Sequence, residues 1–174
     1  MTSVQLVQVL QVLFPAALQG VNGYTLTVDA SGNASILLWN NALGTQPTAA
    51  QLTAELAALQ LKQSQEAQIA ALSASYTANG YADVAYMNTT FPCGSSQLLL
   101  LSCTLVQAGT PQGLPSGFQW WDANGKGVSM TLAQLQGLGN AIFAQVYAAY
   151  AKLQGLIAEV EAATTIAAVQ AVVW

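Results

Sequence analysis

The sequence predicts an α+β fold in which small antiparallel β-hairpins are combined with two long helices. Two segments, 24–39 and 118–130, place β-forming residues on both sides of a turn that contains Asp, Asn and Gly. Two Thr-x-x-Gln signatures, at Thr48 and Thr131, each precede a long stretch with helical apolar spacing. A chain of 174 residues is long enough for one domain or two small ones.

The first 22 residues form an apolar segment whose hydrophobic residues fit neither a helical nor a strand period cleanly. We therefore expect an extended or edge-strand segment that ends at Pro15 and docks on a partner. Gln residues interrupt the apolar run and no Lys or Arg stands at its start, so we expect no secretory signal. With the hairpin that follows, this segment makes up a predicted attachment region, 1–48.

The predicted hairpin of this region pairs 24–28 with 35–39. Alternating β-forming residues such as Tyr, Thr, Leu and Val precede a five-residue turn, 29–33, that contains Gly32.

A helix is predicted next, over 49–75. Thr48 and Gln51 match the capping box, in which each side chain bonds the backbone amide of the other residue. Its first heptad positions are apolar: Leu52, Leu56 and Leu59. The same register then carries polar or small residues: Gln63, Glu66 and Ala70. Two interpretations stay open, namely a polar layer in a coiled coil and a surface helix whose second half is lightly packed.

The region 76–130 is predicted to be irregular and largely β. We expect a turn at 79–80 and a strand over 81–91. Residues 98–106 fit either a strand or a short buried helix. Asn-Gly in the turn of 118–130 is typical of a hairpin.

The last region, 131–174, is predicted to be helical. Thr131 and Gln134 repeat the capping box, and Thr164 begins a short final helix over 166–173. Between them runs a strict heptad: Leu132, Leu135, Gly139, Ile142, Val146, Ala149, Leu153, Leu156 and Val160. Further apolar residues widen this face: Leu138, Phe143, Tyr147, Tyr150 and Ile157. The heptad predicts a coiled-coil-like face that packs within one chain or between copies of it.

The composition excludes several classes of function. The chain has no His and three Lys or Arg residues in total, all lysines. Catalytic sites built on His are therefore excluded, and a basic surface for nucleic acid or membrane lipid is absent. The most apolar run, 97–108, is too short to span a membrane. We expect no enzyme, no cofactor, no metal, no nucleic acid partner and no membrane insertion.

The surface is unusually poor in charge. Charged residues make up 6% of the chain, against about 25% in a typical soluble domain, while 53% are hydrophobic. A free monomer of this kind would be poorly soluble, so we expect much of the surface to be buried against other chains.

The two cysteines, Cys93 and Cys103, lie ten residues apart and beside apolar residues. This spacing is not that of a redox or zinc motif, and we expect two buried reduced thiols. A disulfide between them is the alternative that the sequence leaves open.

Tryptophans provide candidate anchors. Trp39 and Trp120 are predicted to lie in the core. Trp121 would then face the opposite side of its strand, so it is a candidate interface anchor. A carbohydrate-binding platform is the alternative role for these aromatic residues.

Two segments resemble a known family. The order of a hairpin, a Thr-capped helix and a Thr-introduced last helix is similar to an uncharacterised C-terminal domain of tailed-phage tail proteins. The resemblance covers 118–174 well and 24–60 loosely. The matching residues are Trp120, Asp122, Asn124, Val128, Met130, Thr131, Leu135, Leu138, Ile157, Thr164 and Thr165. The chain departs from the family in its near absence of charge and in its apolar N-terminus.

The resemblance implies a virion structural protein of a tailed bacteriophage, at the tail tip, baseplate or tail fibre. It would assemble in the host cytoplasm as a homo-oligomer, a trimer by preference, and contact other tail proteins. The predicted interface residues are Leu52, Leu56, Leu59, Trp121, Ile142, Val146, Leu153, Leu156 and Trp174. The alternatives are a tail-fibre assembly chaperone that is absent from the mature particle and, less in keeping with the short apolar runs, a membrane-active lysis protein.

Overall fold

The computed structural model of the protein describes residues 1–17, 19–20 and 23–174. Over these residues the chain is α+β with long helices and small antiparallel hairpins, which confirms the predicted fold class. The α-helices are α1 (Ser3–Leu13), α2 (Ala49–Gly80), α3 (Ser95–Ala108), α4 (Leu132–Ala162) and α5 (Ile166–Ala171). The strands pair as β1 (Tyr24–Val28) with β2 (Ala34–Trp39), β3 (Val84–Tyr86) with β4 (Thr89–Phe91), and β5 (Gln119–Trp121) with β6 (Gly127–Ser129).

The described residues divide into two compact units. Unit 1 comprises Met1–Glu66 with Thr164–Ala167, and unit 2 comprises Ala67–Ala163 with Ala168–Trp174.

The N-terminal segment of unit 1 is helical, so the prediction of an extended segment over 1–22 is wrong. Thr2 caps α1, because the backbone N–H of Gln5 donates to Thr2 Oγ1 at 3.3 Å and the N–H of Thr2 donates to Gln5 Oε1 at 2.9 Å. Helical spacing then places Leu6 and Leu10 in a buried cluster with Tyr24. Positions 18, 21 and 22 of the predicted segment lie outside the described residues.

The first hairpin is confirmed. Val28 pairs with Ala34 across the turn, and a register shift follows Thr25. Asp29 closes the turn, since its Oδ1 accepts from the backbone N–H groups of Ser31 and Asn33, both at 2.9 Å.

The second predicted hairpin is also confirmed, and its turn repeats this chemistry. Oδ1 of Asp122 accepts from the backbone N–H groups of Asn124 at 2.9 Å and Lys126 at 2.8 Å. Both turns read Asp-Ala-x-Gly-x, and the Gly at the fourth place has positive φ. Each unit therefore has a hairpin with an Asp-closed turn, followed along the chain by a Thr-capped long helix.

The predicted strand over 81–91 is wrong as a single element. It is divided into β3 and β4 by a two-residue turn at Met87 and Asn88, whose φ values are +53° and +58°. A pair of positive φ values is the geometry of a type I′ turn, for which Met is an unusual residue.

Residues 98–106, for which a strand and a short buried helix were both open, form part of helix α3. This helix is not buried as a whole. Leu101 is its buried residue, whereas Leu99, Leu100 and Val106 are exposed.

Helix α2 begins where the capping box predicted and runs beyond the predicted end at 75. The turn predicted at 79–80 is therefore wrong, because both residues continue the helix. The carbonyl of Gly80, at the end of the helix, is satisfied within unit 2, since Gln145 Nε2 donates to it at 3.3 Å and to Ala82 O at 2.7 Å.

Helix α4 confirms the C-terminal prediction. The backbone N–H of Gln134 donates to Thr131 Oγ1 at 3.3 Å, and the N–H of Thr131 donates to Gln134 Oε1 at 2.8 Å. One face of α4 packs against β3 and α3 in the core of unit 2. This core contains Val84, Phe91, Cys93, Leu101, Trp120, Met130, Leu135, Leu138 and Ile142.

Candidate assembly surface

Ionisable side chains are dispersed over the described residues. No group of three or more Cys, Asp or Glu side chains in this part of the chain could hold a metal ion. Among the same residues, no helix is both long enough and apolar enough to cross a membrane.

The two thiols lie in different environments. Cys93 is fully buried in the unit 2 core, and this burial, with a smaller contribution from Asp83, raises the pKa of its thiol. Cys103 is exposed on α3, so the expectation that both thiols are buried is wrong for this residue. Both are free thiols in the structure.

The predicted interface residues on α2 are half-buried within the chain. Leu52 packs against the buried cluster of unit 1, and Leu56 and Leu59 are similarly half-exposed. Over its 32 residues, α2 buries Leu72 and Gly80.

On α4 the structure corrects two of the predicted interface residues. Ile142 and Leu153 are buried within the chain itself, so most of their surface is already covered without a partner. Both belong to the heptad, which therefore marks the core-facing side of α4. Val146 and Leu156 are half-buried, and Val146 packs at the edge of the unit 2 core.

The two predicted tryptophan anchors are both accessible. Trp121 is exposed on β5 while Trp120 is buried on the other face, as the alternation predicted. Trp174 is half-buried, and Lys152 Nζ lies 4.8 Å from the centroid of its ring. Trp39 is half-buried in unit 1, where its Nε1 donates to Gly44 O at 2.8 Å.

A groove runs between α3 and α4 in unit 2 and has a volume of about 380 Å³. We call it the α3–α4 groove. Its walls are mostly apolar and carry no charged side chain: Leu98, Leu101, Ser102, Leu105, Gln136, Gly139, Asn140, Ile142, Phe143 and Val146. Gly139 leaves room at its floor, since a Cβ there would lie 3.7 Å from Leu105 Cδ1.

Exposed aromatic residues extend the α4 wall of this groove. The Phe143 and Tyr147 rings are stacked, with centroids 5.7 Å apart and planes at 17°. These residues are 68% and 62% exposed. In the sequence they stand beside the heptad and outside the set of predicted interface residues. The spacing of Phe143, Tyr147 and Tyr150, which is i, i+4 and i+7, is the signal that marks a second face.

Tyr150, on the same side of α4, belongs to a cluster of three tyrosines. Tyr76 lies edge-on to Tyr81 and to Tyr150, with centroid distances of 5.9 and 6.1 Å. A hydrogen bond with Tyr81 raises the pKa of Tyr76.

The part of the sequence that forms this surface matches a known protein family. Residues 60–173 match the family described as a domain of unknown function (DUF4376). The chain belongs to this family. Neither the curated proteins nor the solved structures contain a significant match. The DUF4376 segment includes the α3–α4 groove, Trp121 and all of α4, whereas Leu52, Leu56 and Leu59 precede it.

Proposed function

We propose that the protein is a structural subunit of a tailed-phage virion, located at the tail tip, the baseplate or the tail fibre. It works by assembling with copies of itself, as a trimer by preference, and with other tail proteins. It is assembled in the host cytoplasm and then remains in the particle. The resemblance of 118–174 to a C-terminal domain of phage tail proteins supports the location in the tail.

One structural observation supports the assembly. The two longest helices, of 32 and 31 residues, bury two and five residues respectively. Most of the stability of a protein helix comes from packing an apolar face, so helices of this length are expected to pack further residues against something else. A partner chain in an assembled particle provides that packing.

The distribution of charge supports the same proposal. Large hydrophobic side chains are exposed in both units, with Leu37 and Leu38 in unit 1 and Phe143 and Tyr147 in unit 2 among them. The chain has ten charged residues to keep such a surface in solution. In a particle these side chains are covered by neighbouring subunits, and the shortage of charge is then no disadvantage.

The role that we propose is mechanical. It requires no catalytic residue, cofactor, metal, nucleic acid or membrane insertion, in keeping with the absence of His and Arg from the sequence.

Quantitative mass spectrometry of purified particles, compared with the lysate of infected cells, tests this proposal. We expect the chain at a fixed copy number per particle, in a ratio to the other tail proteins that persists through successive purification steps. A copy number divisible by three would agree with the trimer.

The opposite result would favour the assembly chaperone. A chain that is abundant in the lysate and missing from purified particles would refute the structural role. A known tail subunit, quantified in the same samples, controls for loss of tails during purification.

A further inference from the structure

The α3–α4 groove is the centre of a larger uncovered surface. Leu99, Ser102 and Val106 follow the i, i+3, i+7 spacing on α3, and Ser102 lines the groove. Leu99 and Val106 are 68% and 73% exposed. With Phe143 and Tyr147 on the α4 side, they frame the groove on both sides. We call the groove and these four residues the groove face.

The groove face carries no formal charge. Helix α3 contains no Asp, Glu or Lys, and α4 contains none before Lys152. A partner that placed charged side chains here would remove their hydration and find no opposite charge in return. The occupant that this surface accepts is therefore apolar and uncharged.

The same surface on a second copy of the chain meets this requirement. Identical faces that meet around a symmetry axis bring apolar groups together and leave no charge unpaired. Small and polar uncharged residues within the face, such as Gly139, Asn140 and Gln136, allow close approach and hydrogen bonding between copies.

The groove face provides much of the area that such a contact needs. A whole aromatic side chain has about 200 Å² of surface and an aliphatic one about half of that. At their exposed fractions, the four side chains that frame the groove together offer about 400 Å² per copy, to which the groove walls between them add. Stable interfaces begin at about 600 Å² per partner, so the groove face forms the centre of such a contact and polar residues around it complete the area. The largest apolar patch of a typical monomer is about 300–600 Å² and is often functional, and this one lies within that range.

From these observations we infer that the groove face is the contact between neighbouring copies of this chain, which pack it against one another around a common axis. This inference rests on the oligomeric assembly in the proposed function and names the surface responsible. It moves the centre of the predicted contact from the core-facing heptad of α4 to the side of that helix that carries Phe143 and Tyr147. The heptad residues Gly139, Ile142 and Val146 lie at the edge of this side, where they line the groove.

The inference is tested with the full-length chain by light scattering coupled to size-exclusion chromatography. The wild-type chain is expected at a multiple of its 18.1 kDa mass. Phe143→Gln removes a large exposed apolar group from the groove face. It is expected to weaken association at least tenfold, which corresponds to about 1.4 kcal/mol, and to shift the chain towards monomer.

Leu100→Gln is the matched control. Leu100 is also an exposed apolar residue, at 56%, but it lies on α3 outside the set that lines the groove. This variant is expected to keep the wild-type mass. Tyr147→Gln provides a second test on the groove face, and far-UV circular dichroism of each variant shows whether it is folded.

The outcomes separate this inference from the proposed function. A wild-type chain that is monomeric, groove-face variants that stay oligomeric and folded, or a Leu100→Gln variant that dissociates equally would each overturn the inference. The particle measurement above is independent of these results. A chain found in particles whose association survives Phe143→Gln and Tyr147→Gln would retain the structural role and lose this interface.

Discussion

Glycine 137 provides a direct test of how α4 packs on β3. An Ala side chain at this position would point at the ring of Tyr86. Its Cβ would lie 2.8 Å from Cζ and 3.2 Å from Cε2 of that ring, with the hydroxyl oxygen closer still. Gly155 lies in the same helix, and a Cβ there would meet nothing within 4 Å. The same Gly→Ala substitution therefore has opposite expected effects at two places in one helix.

The magnitudes follow from two competing terms. Replacing Gly by Ala inside a helix stabilises the folded state by about 0.5–1 kcal/mol, because Gly loses more backbone entropy on folding. Gly155→Ala should gain this amount. Forcing extra atoms into a packed site destabilises by about 1–3 kcal/mol. Gly137→Ala should therefore lower the free energy of unfolding by about 1 kcal/mol, so that the two variants differ by about 2 kcal/mol.

Urea unfolding followed by far-UV circular dichroism measures both variants at one protein concentration. Combining Gly137→Ala with Tyr86→Phe removes the hydroxyl oxygen that the new Cβ meets first, so the loss should become smaller in that background. If Gly137→Ala stabilised the chain as Gly155→Ala does, the packing of Tyr86 on α4 described above would be wrong.

Two further predictions concern buried polar groups. Asp122→Ala should lower the free energy of unfolding by about 2 kcal/mol, since two backbone N–H groups lose a charged acceptor at a nearly buried site. Asp29→Ala, the same change in the exposed hairpin turn, should cost much less, and equal losses in urea unfolding would contradict this account. In a Cys103→Ser variant the remaining thiol is Cys93, whose raised pKa and burial should limit its reaction with an aromatic disulfide reagent to the rate of unfolding. An immediate reaction at the rate of an exposed thiol would show that Cys93 is accessible.

Elements with strong local signals could be predicted from the sequence. The two five-residue turns are closed by an Asp carboxylate within the turn itself, and the starts of α2 and α4 are set by a Thr and a Gln three residues apart. These hydrogen bonds join residues at most four apart, so the pattern of residue types contains all that is needed to recognise them.

Other elements depend on contacts that the sequence pattern does not contain. The turn at Met87 and Asn88 lacks the Gly that usually marks positive φ, and its two strands pair where β3 packs on α4. The extension of α2 depends on Gln145, which is 65 residues from Gly80 in the chain. Helix α1 has the same Thr-x-x-Gln cap as α2 and α4, so its signal was present and its irregular apolar spacing obscured it.

The candidate surface was predicted in part. The heptad of α4 was correctly recognised as an apolar face, but an apolar face packs equally well within a chain and between chains, and its spacing does not distinguish the two. Burial in the folded chain makes that distinction, because Ile142 is covered while Phe143, one residue further, is open.

The cap at Thr131 determines the direction around the helix axis in which each later residue of α4 points. An α-helix turns by about 100° per residue, so a start displaced by one position would rotate Gly137 away from Tyr86 and Phe143 away from the α3–α4 groove. The three hydrogen bonds between Thr131 and Gln134 exclude that slip at the first turn. Thr131 and Gln134, at the start of α4, thus fix the direction of side chains three turns further along the helix, and they do so in every copy of the chain.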